Sequence, residues 1–262
     1  MQYFDSHAHY WDDRFLQREG GVSPLLEELF QTSVCGIINV ATSPENYAIT
    51  IEQANAFPKM YAALGIHPGD CRFLADNPDA YMEQLYTLLK NPTSKAVALG
   101  EIGMDYHYEG TNKEKQAAFF HAQMSLAKEL DIPVVIHDRE AHEDTLSILA
   151  QYPAVRGVMH CYSGSAEMAK ILLRRDFYLS FTGVITYKNA RKTVEVAEIM
   201  PKDRVLIETD APYLTPVPYR NKTNHSGYLA YTNEAVATAM GISPEECALA
   251  TAENTRTLFG LS

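Results

Sequence analysis

The chain has 262 residues, 46% of them hydrophobic, with 33 acidic residues against 22 basic ones and a formal net charge of −11. That apolar content supports a sizeable core and excludes disorder as the default state, while the acidic balance argues against a broad basic surface clamped along nucleic acid. No apolar run reaches the roughly 18 residues of a membrane span, and the N-terminus shows neither a basic nor an apolar leader region, so a cytoplasmic protein without membrane attachment is expected.

In chain order, short apolar or β-branched runs read as strands at 3–9, 35–41, 60–67, 96–103, 132–138, 156–162, 178–184 and 204–210. Amphipathic helical patterns fall between them at 23–31, 77–90, 113–130, 141–152 and 164–175, and a last helix near 243–260 is expected to pack on the outside. Near-continuous apolar strands alternating with helices mean a parallel sheet covered on both faces. The expected architecture is α/β: a (β/α)8 TIM barrel forming one domain over 1–262. A doubly wound open sheet is the runner-up, but HAHYWDDRF stands where its Gly-rich phosphate turn would follow the first strand.

In such a barrel the chemistry sits at the C-terminal ends of the strands, around one mouth. The first strand ends in FDSHAH, where alternation predicts Asp5, His7 and His9 on one face. The other ends supply His67 in GIHPGD, Glu101 in ALGEIGMDY, His137 in VVIHDRE, His160 in GVMHCYS and Asp210 in IETDAPYL. His7, His9, His137, His160, Glu101 and Asp210 are about what two divalent ions sharing a bridging carboxylate require. A buried Glu101 without a cation or partner would cost several kcal/mol. His67, before Pro68, reads as a substrate contact. Glu208 shares a face with Asp210, where it either orients a neighbour or touches the metal. Asp105 and His107 read as loop groups outside the site, and His121 and His142 as helix-surface residues. His225 lies in the loop after the eighth strand, and Cys161 reads as a packed thiol facing away from His160. The four cysteines form no C-x-x-C pair, so neither a disulfide framework nor a structural zinc site is expected.

The ordered set FDSHAH, GIHPGD, LGEIGMDY, PVVIHDREAHED, GVMHCYSGS and LIETDAPYLTPVPYRNK resembles the TatD family of metal-dependent hydrolases over essentially the whole chain. The resemblance implies an amidohydrolase-type barrel, a divalent-metal centre and, in many members, deoxyribonuclease activity. It matches His7, His9, Glu101, His137, His160 and Asp210 to metal-binding positions. Two segments depart from the family pattern: Tyr10-Trp11, where an aliphatic residue followed by an acid or amide is usual, and PYRNKTNHSGY after ETDAPYL.

The expected function is a metal-dependent deoxyribonuclease or phosphodiesterase, 3′-to-5′ exonuclease-like, acting on single-stranded or end-frayed DNA or another small phosphodiester. No obligate protein partner is evident. Glu101 would bridge two ions of Mg, Mn, Zn or Co, and Asp210 would ligate one and hold or deprotonate the attacking water. Arg139, Arg220 and Lys222 are candidates for the phosphate. The rival expectation is hydrolysis of an ester or amide bond, as in a lactone, cyclic amide or aminoacyl ester.

Overall fold

The computed structural model of the chain describes residues 1–261. Eight strands, β1 (Tyr3–Ala8), β2 (Val34–Val40), β3 (Met60–Leu64), β4 (Ala96–Asp105), β5 (Val134–Arg139), β6 (Gly157–Met159), β7 (Tyr178–Phe181) and β8 (Val205–Ile207), pair in parallel in sequence order. Helices α1 (Asp13–Leu16) and α2 (Ser23–Thr32) follow β1, and α3 (Tyr47–Ala56), α4 (Asp79–Lys90), α5 (Lys113–Leu130), α6 (His142–Ala150), α7 (Ala166–Leu173) and α8 (Arg191–Ala197) follow β2 to β7 in turn. After β8 come α9 (Leu229–Met240) and α10 (Pro244–Phe259). This is the expected TIM barrel, nearly closed.

Alternation along the strands builds two apolar layers. Phe4, Ile38, Val40, Val135, Val158 and Leu206 form the inner one. Their strand neighbours Ile37, Leu99, Ile136, Met159 and Ile207 pack outward with helix residues such as Leu26, Phe119, Leu149 and Leu172. Because both faces are buried, the strands read as continuous apolar runs, each buried aliphatic side chain contributing about 1.5–3 kcal/mol.

The ring is completed differently between β8 and β1. At the mouth, Asp210 N donates to His7 O at 2.9 Å and His9 N donates to Ala211 O at 2.7 Å. Lower down, α10 covers the seam. Asn254 Nδ2 donates to the carbonyls of Lys202 and Val205 at 2.8 Å, and Leu258 and Phe259 join the inner cluster. The last helix thus packs outside only in part, through Cys247 and Ala248, while its end helps fill the barrel.

Four predicted strands run too far. The segments expected to extend to 67, 162, 184 and 210 leave the sheet at Leu64, Met159, Phe181 and Ile207. Their last residues form the mouth instead: 183–186 is a 3-10 turn, and Cys161 and Asp210 have φ of 44° and 57°. A left-handed backbone ends extended alternation. Among the described residues no helix is long and apolar enough to cross a membrane.

Candidate metal centre

Three of the expected ligands, Glu101, His7 and His9, reach the mouth only because their strands break strict alternation. In β4, Gly100 lies opposite the inner Val135, so alternation would turn Glu101 outward. A register shift between Gly100 and Ile102 absorbs one residue, and Ile102 then faces outward opposite Ile136. β1 does the same between Asp5 and Ala8. An extra residue in one strand reverses which face its successors present. The expectation that Asp5 shares a face with His7 and His9 is therefore corrected. Asp5 pairs with the outward Ile37, and its carboxylate accepts from Thr209 N at 2.9 Å and from the hydroxyls of Thr209 and Ser226, each at 2.6 Å. Burial, against these donors, pushes that carboxyl up to about 7.

Inside the mouth, two groups of donor atoms share Glu101. His7 Nε2 and His9 Nε2 are 3.1 Å apart, with Glu101 Oε2 at 3.4 and 3.7 Å from them and Asp210 Oδ1 at 3.7 and 3.3 Å. On the other side, Glu101 Oε1 lies 2.7 Å from His137 Nδ1 and 2.9 Å from His160 Nε2, with 3.3 Å between those two nitrogens. Donors bound to one divalent ion at about 2.1 Å stand about 3–3.5 Å apart, so His7, His9 and Glu101, and likewise Glu101, His137 and His160, have about the span of one coordination sphere, with Asp210 beside the first set. His9 Nδ1 donates to Val40 O at 2.7 Å, which leaves its Nε2 lone pair directed at the cluster. The residues present fit two divalent ions with Glu101 between them.

The electrostatics point the same way. Burial alone would raise the Glu101 carboxyl, but the charges of His160 and His67 and hydrogen bonds from His137 and His160 hold it well below its ordinary range. For Asp210, burial is likewise outweighed by its contact with His9. In return these carboxylates lift His160, His9 and His137 despite burial, with Glu208 and Asp105 assisting at His160 and His137. His7 is lowered by burial and the neighbouring His160, and His67 to about 3 by burial and His137. Two buried carboxylates demand positive charge at this point, which a cation satisfies.

Around the cluster, one cavity of about 410 Å³ is lined by Trp11, His67, Asp105, Tyr108 and Tyr213, and a second of about 370 Å³ by Cys161, Tyr162, Thr182, Val184 and Leu214. His137, Arg139, His160, Asp210 and Tyr213 line both. His67 stands at the edge, with Nε2 3.6 Å from Glu101. Arg139 is thus at the mouth, whereas Arg220 and Lys222 lie in an adjoining cavity with Arg14, where Arg220 covers the Tyr187 ring at 3.7 Å.

Sequence reasoning missed Asp105. Its Oδ2 is 3.2 Å from His137 Nε2, and with His67 and His137 it forms a further potential ligand group. Cys161 is also corrected: its left-handed backbone turns it into the second cavity, with Sγ 3.6 Å from Thr182 Oγ1. Glu208 orients a neighbour. Its Oε1 is 3.1 Å from His160 Nδ1 and accepts from Cys161 N at 2.7 Å. His107 pairs with Glu140, His121 and His142 sit on helices, and His225 caps a turn at 226–228.

Known proteins share this arrangement's sequence and fold. The chain matches the family described as TatD related DNase over residues 4–260. It is 37% identical to the uncharacterized metal-dependent hydrolase YabD of Bacillus subtilis, covering 99% of both chains. It is 34% identical to the uncharacterized metal-dependent hydrolase YcfH of Escherichia coli, over 97% of this chain and 94% of that protein. The crystal structure of YjjV, a TatD homolog from Escherichia coli, superposes with a TM-score of 0.90 at 30% identity, over 99% of this chain and 98% of that one. With a family match along nearly its whole length and relatives above 30% identity end to end, the chain belongs to the TatD family of metal-dependent hydrolases.

Proposed function

We propose that the protein is a divalent-metal phosphodiesterase acting on DNA, preferentially at single-stranded or frayed ends and in the 3′-to-5′ direction. The observation that carries this is Glu101 standing with one oxygen in each donor group, as a bridging carboxylate between two ions would. The family description supports DNA as the substrate. Bound divalent ions supply Lewis acidity and a water that ionises near neutral pH. Asp210, whose side chain is 14% exposed, belongs to the first donor group and lines both cavities, so it is placed to hold the attacking water and take its proton. Glu208 fixes the ring of His160 from behind. Arg139 lies where a phosphoryl oxygen would enter, and its guanidinium can hold that oxygen by charge-assisted hydrogen bonds. His67 flanks the same cavity as a second substrate contact.

The test uses protein stripped of metal and reloaded separately with Mg, Mn, Zn and Co, assayed on single-stranded DNA, duplex DNA, RNA, small phosphodiesters, and carboxylic esters and amides. Metal-restored cutting of DNA strands from the 3′ end is expected. Turnover of an ester or amide with no nucleic acid cut would replace the phosphodiesterase with the rival hydrolase.

A further inference from the structure

Two of the exposed aromatic side chains of this protein, Tyr108 and Tyr213, stand at the mouth beside the half-buried Trp11, whereas the exposed Phe73 and Tyr86 do not line it. Trp11, Tyr108 and Tyr213 line the 410 Å³ cavity above the ligand cluster and come from three separate loops, after β1, β4 and β8. Tyr108 is 57% exposed and Tyr213 45%, and the half-buried Trp11 is the chain's one tryptophan. Metal ligation uses none of them, and Trp11 lies where the chain departs from the family pattern.

The polar edges of two of them are already held. Trp11 Nε1 donates to Val40 O at 2.6 Å, and Tyr213 donates its hydroxyl to Asp12 Oδ2 at 3.1 Å. Both rings stand edge to face with His9, at 5.6 and 6.3 Å between centroids. Cations stand over two of the three, Arg14 at 4.2 Å from the Tyr213 ring and Arg139 at 5.7 Å from Tyr108. Fixed aromatic rings with neighbouring guanidinium groups, opening on a cavity, suit a flat π-system more than an aliphatic chain or a bare phosphate.

We infer that Trp11, Tyr108 and Tyr213 are a stacking surface for unpaired nucleobases, so that the substrate is gripped by base faces as well as by phosphates. This deepens the nuclease function proposed above and rests on it. Inside a duplex each base face is covered by its neighbours, so only a single strand or a frayed end presents one. Stacking also supplies what the charge cannot. With a net charge of −11 the protein has few cations for phosphates, whereas each base stacked on an aromatic ring contributes roughly 5- to 150-fold to affinity.

The experiment titrates the Mn-loaded full chain with a short phosphorothioate oligothymidylate, uncut during the measurement, and follows Trp11 fluorescence. An abasic oligomer with the same backbone and a blunt duplex of the same length are the comparisons, read by competition. The thymidylate should change Trp11 emission saturably and bind at least about tenfold more tightly than either comparison. Tyr108→Leu, at an exposed loop position, should bring the thymidylate-to-abasic ratio toward one without changing the melting temperature, and Trp11→Leu, read by anisotropy of a labelled strand, should do the same. Equal affinity for thymidylate and abasic strands, or for strand and duplex, overturns the stacking surface. If that happens while DNA is still cut, only the stacking surface falls. If base-selective binding is found with no cutting of any phosphodiester, the nuclease function falls and the stacking surface stands.

Discussion

Single side chains in this mouth differ in what their loss should do. Asp210→Asn keeps the shape of the first donor group but removes the carboxylate proposed to hold the water and take its proton, so turnover should fall roughly 10²–10⁴-fold while the melting temperature stays within a few degrees. Near wild-type turnover at saturating metal would show that another group takes the proton. Glu208 acts one step further back, through the His160 ring and the Cys161 amide. Glu208→Gln should weaken metal binding by about 10–100-fold, with turnover largely restored at high metal concentration. Calorimetric titration of the metal, set beside turnover at saturation, separates the two effects. If Glu208→Gln binds metal normally and is still inactive, Glu208 acts on the reaction by a route other than orienting a metal ligand.

The strands show which features of the site can be read from residues and which need the sheet. Histidines at the ends of apolar runs are legible because a barrel opens all its strand ends into one mouth, as His7, His137 and His160 show. The register shifts in β1 and β4 are not, since pairing with the neighbouring strand decides where an extra residue is absorbed. Asp5 is misread for that reason. Asp105 was within reach, because β4 continues to it and Gly103 and Asp105 pair with His137 and Arg139. Gly103 marks how tightly that pairing is built: at φ 140°, a Cβ there would stand 2.0 Å from the His137 carbonyl oxygen. Gly103→Ala should cost at least about 1–3 kcal/mol from backbone strain alone, and also displace His137 and abolish metal binding. Gly110→Ala, at φ 75° with nothing within 4 Å, should carry only the strain and still bind metal. Melting curves with and without manganese distinguish the pair.

Across the molecule, buried acids of high ordinary pKa set an alkaline limit. Burial, with neighbouring acidic groups, pushes the thiols of Cys71 and Cys247 from 9.0 up to about 12, and raises the Tyr47 hydroxyl as well. The folded form holds these protons more firmly than the unfolded one, so their contribution is complete below about pH 9 and is lost as pH rises toward 12. Each of the two thiols should lower stability by roughly 1.4 kcal/mol per pH unit within that window. Melting temperatures should therefore decline above pH 9, less steeply in Cys247→Ala, and a level profile to pH 11 would contradict this. The seam between β8 and β1 has a consequence in time. His7 is made early in translation, but its carbonyl meets Asp210 only after β8 exists, and the lower seam waits for Asn254, Leu258 and Phe259. A ribosome-bound chain that has exposed seven strands holds most of the ligands, yet its ring is open. Completion of the first donor group, which needs Asp210, should thus be among the last events of biogenesis, which keeps a half-made hydrolase silent while it is still being synthesised.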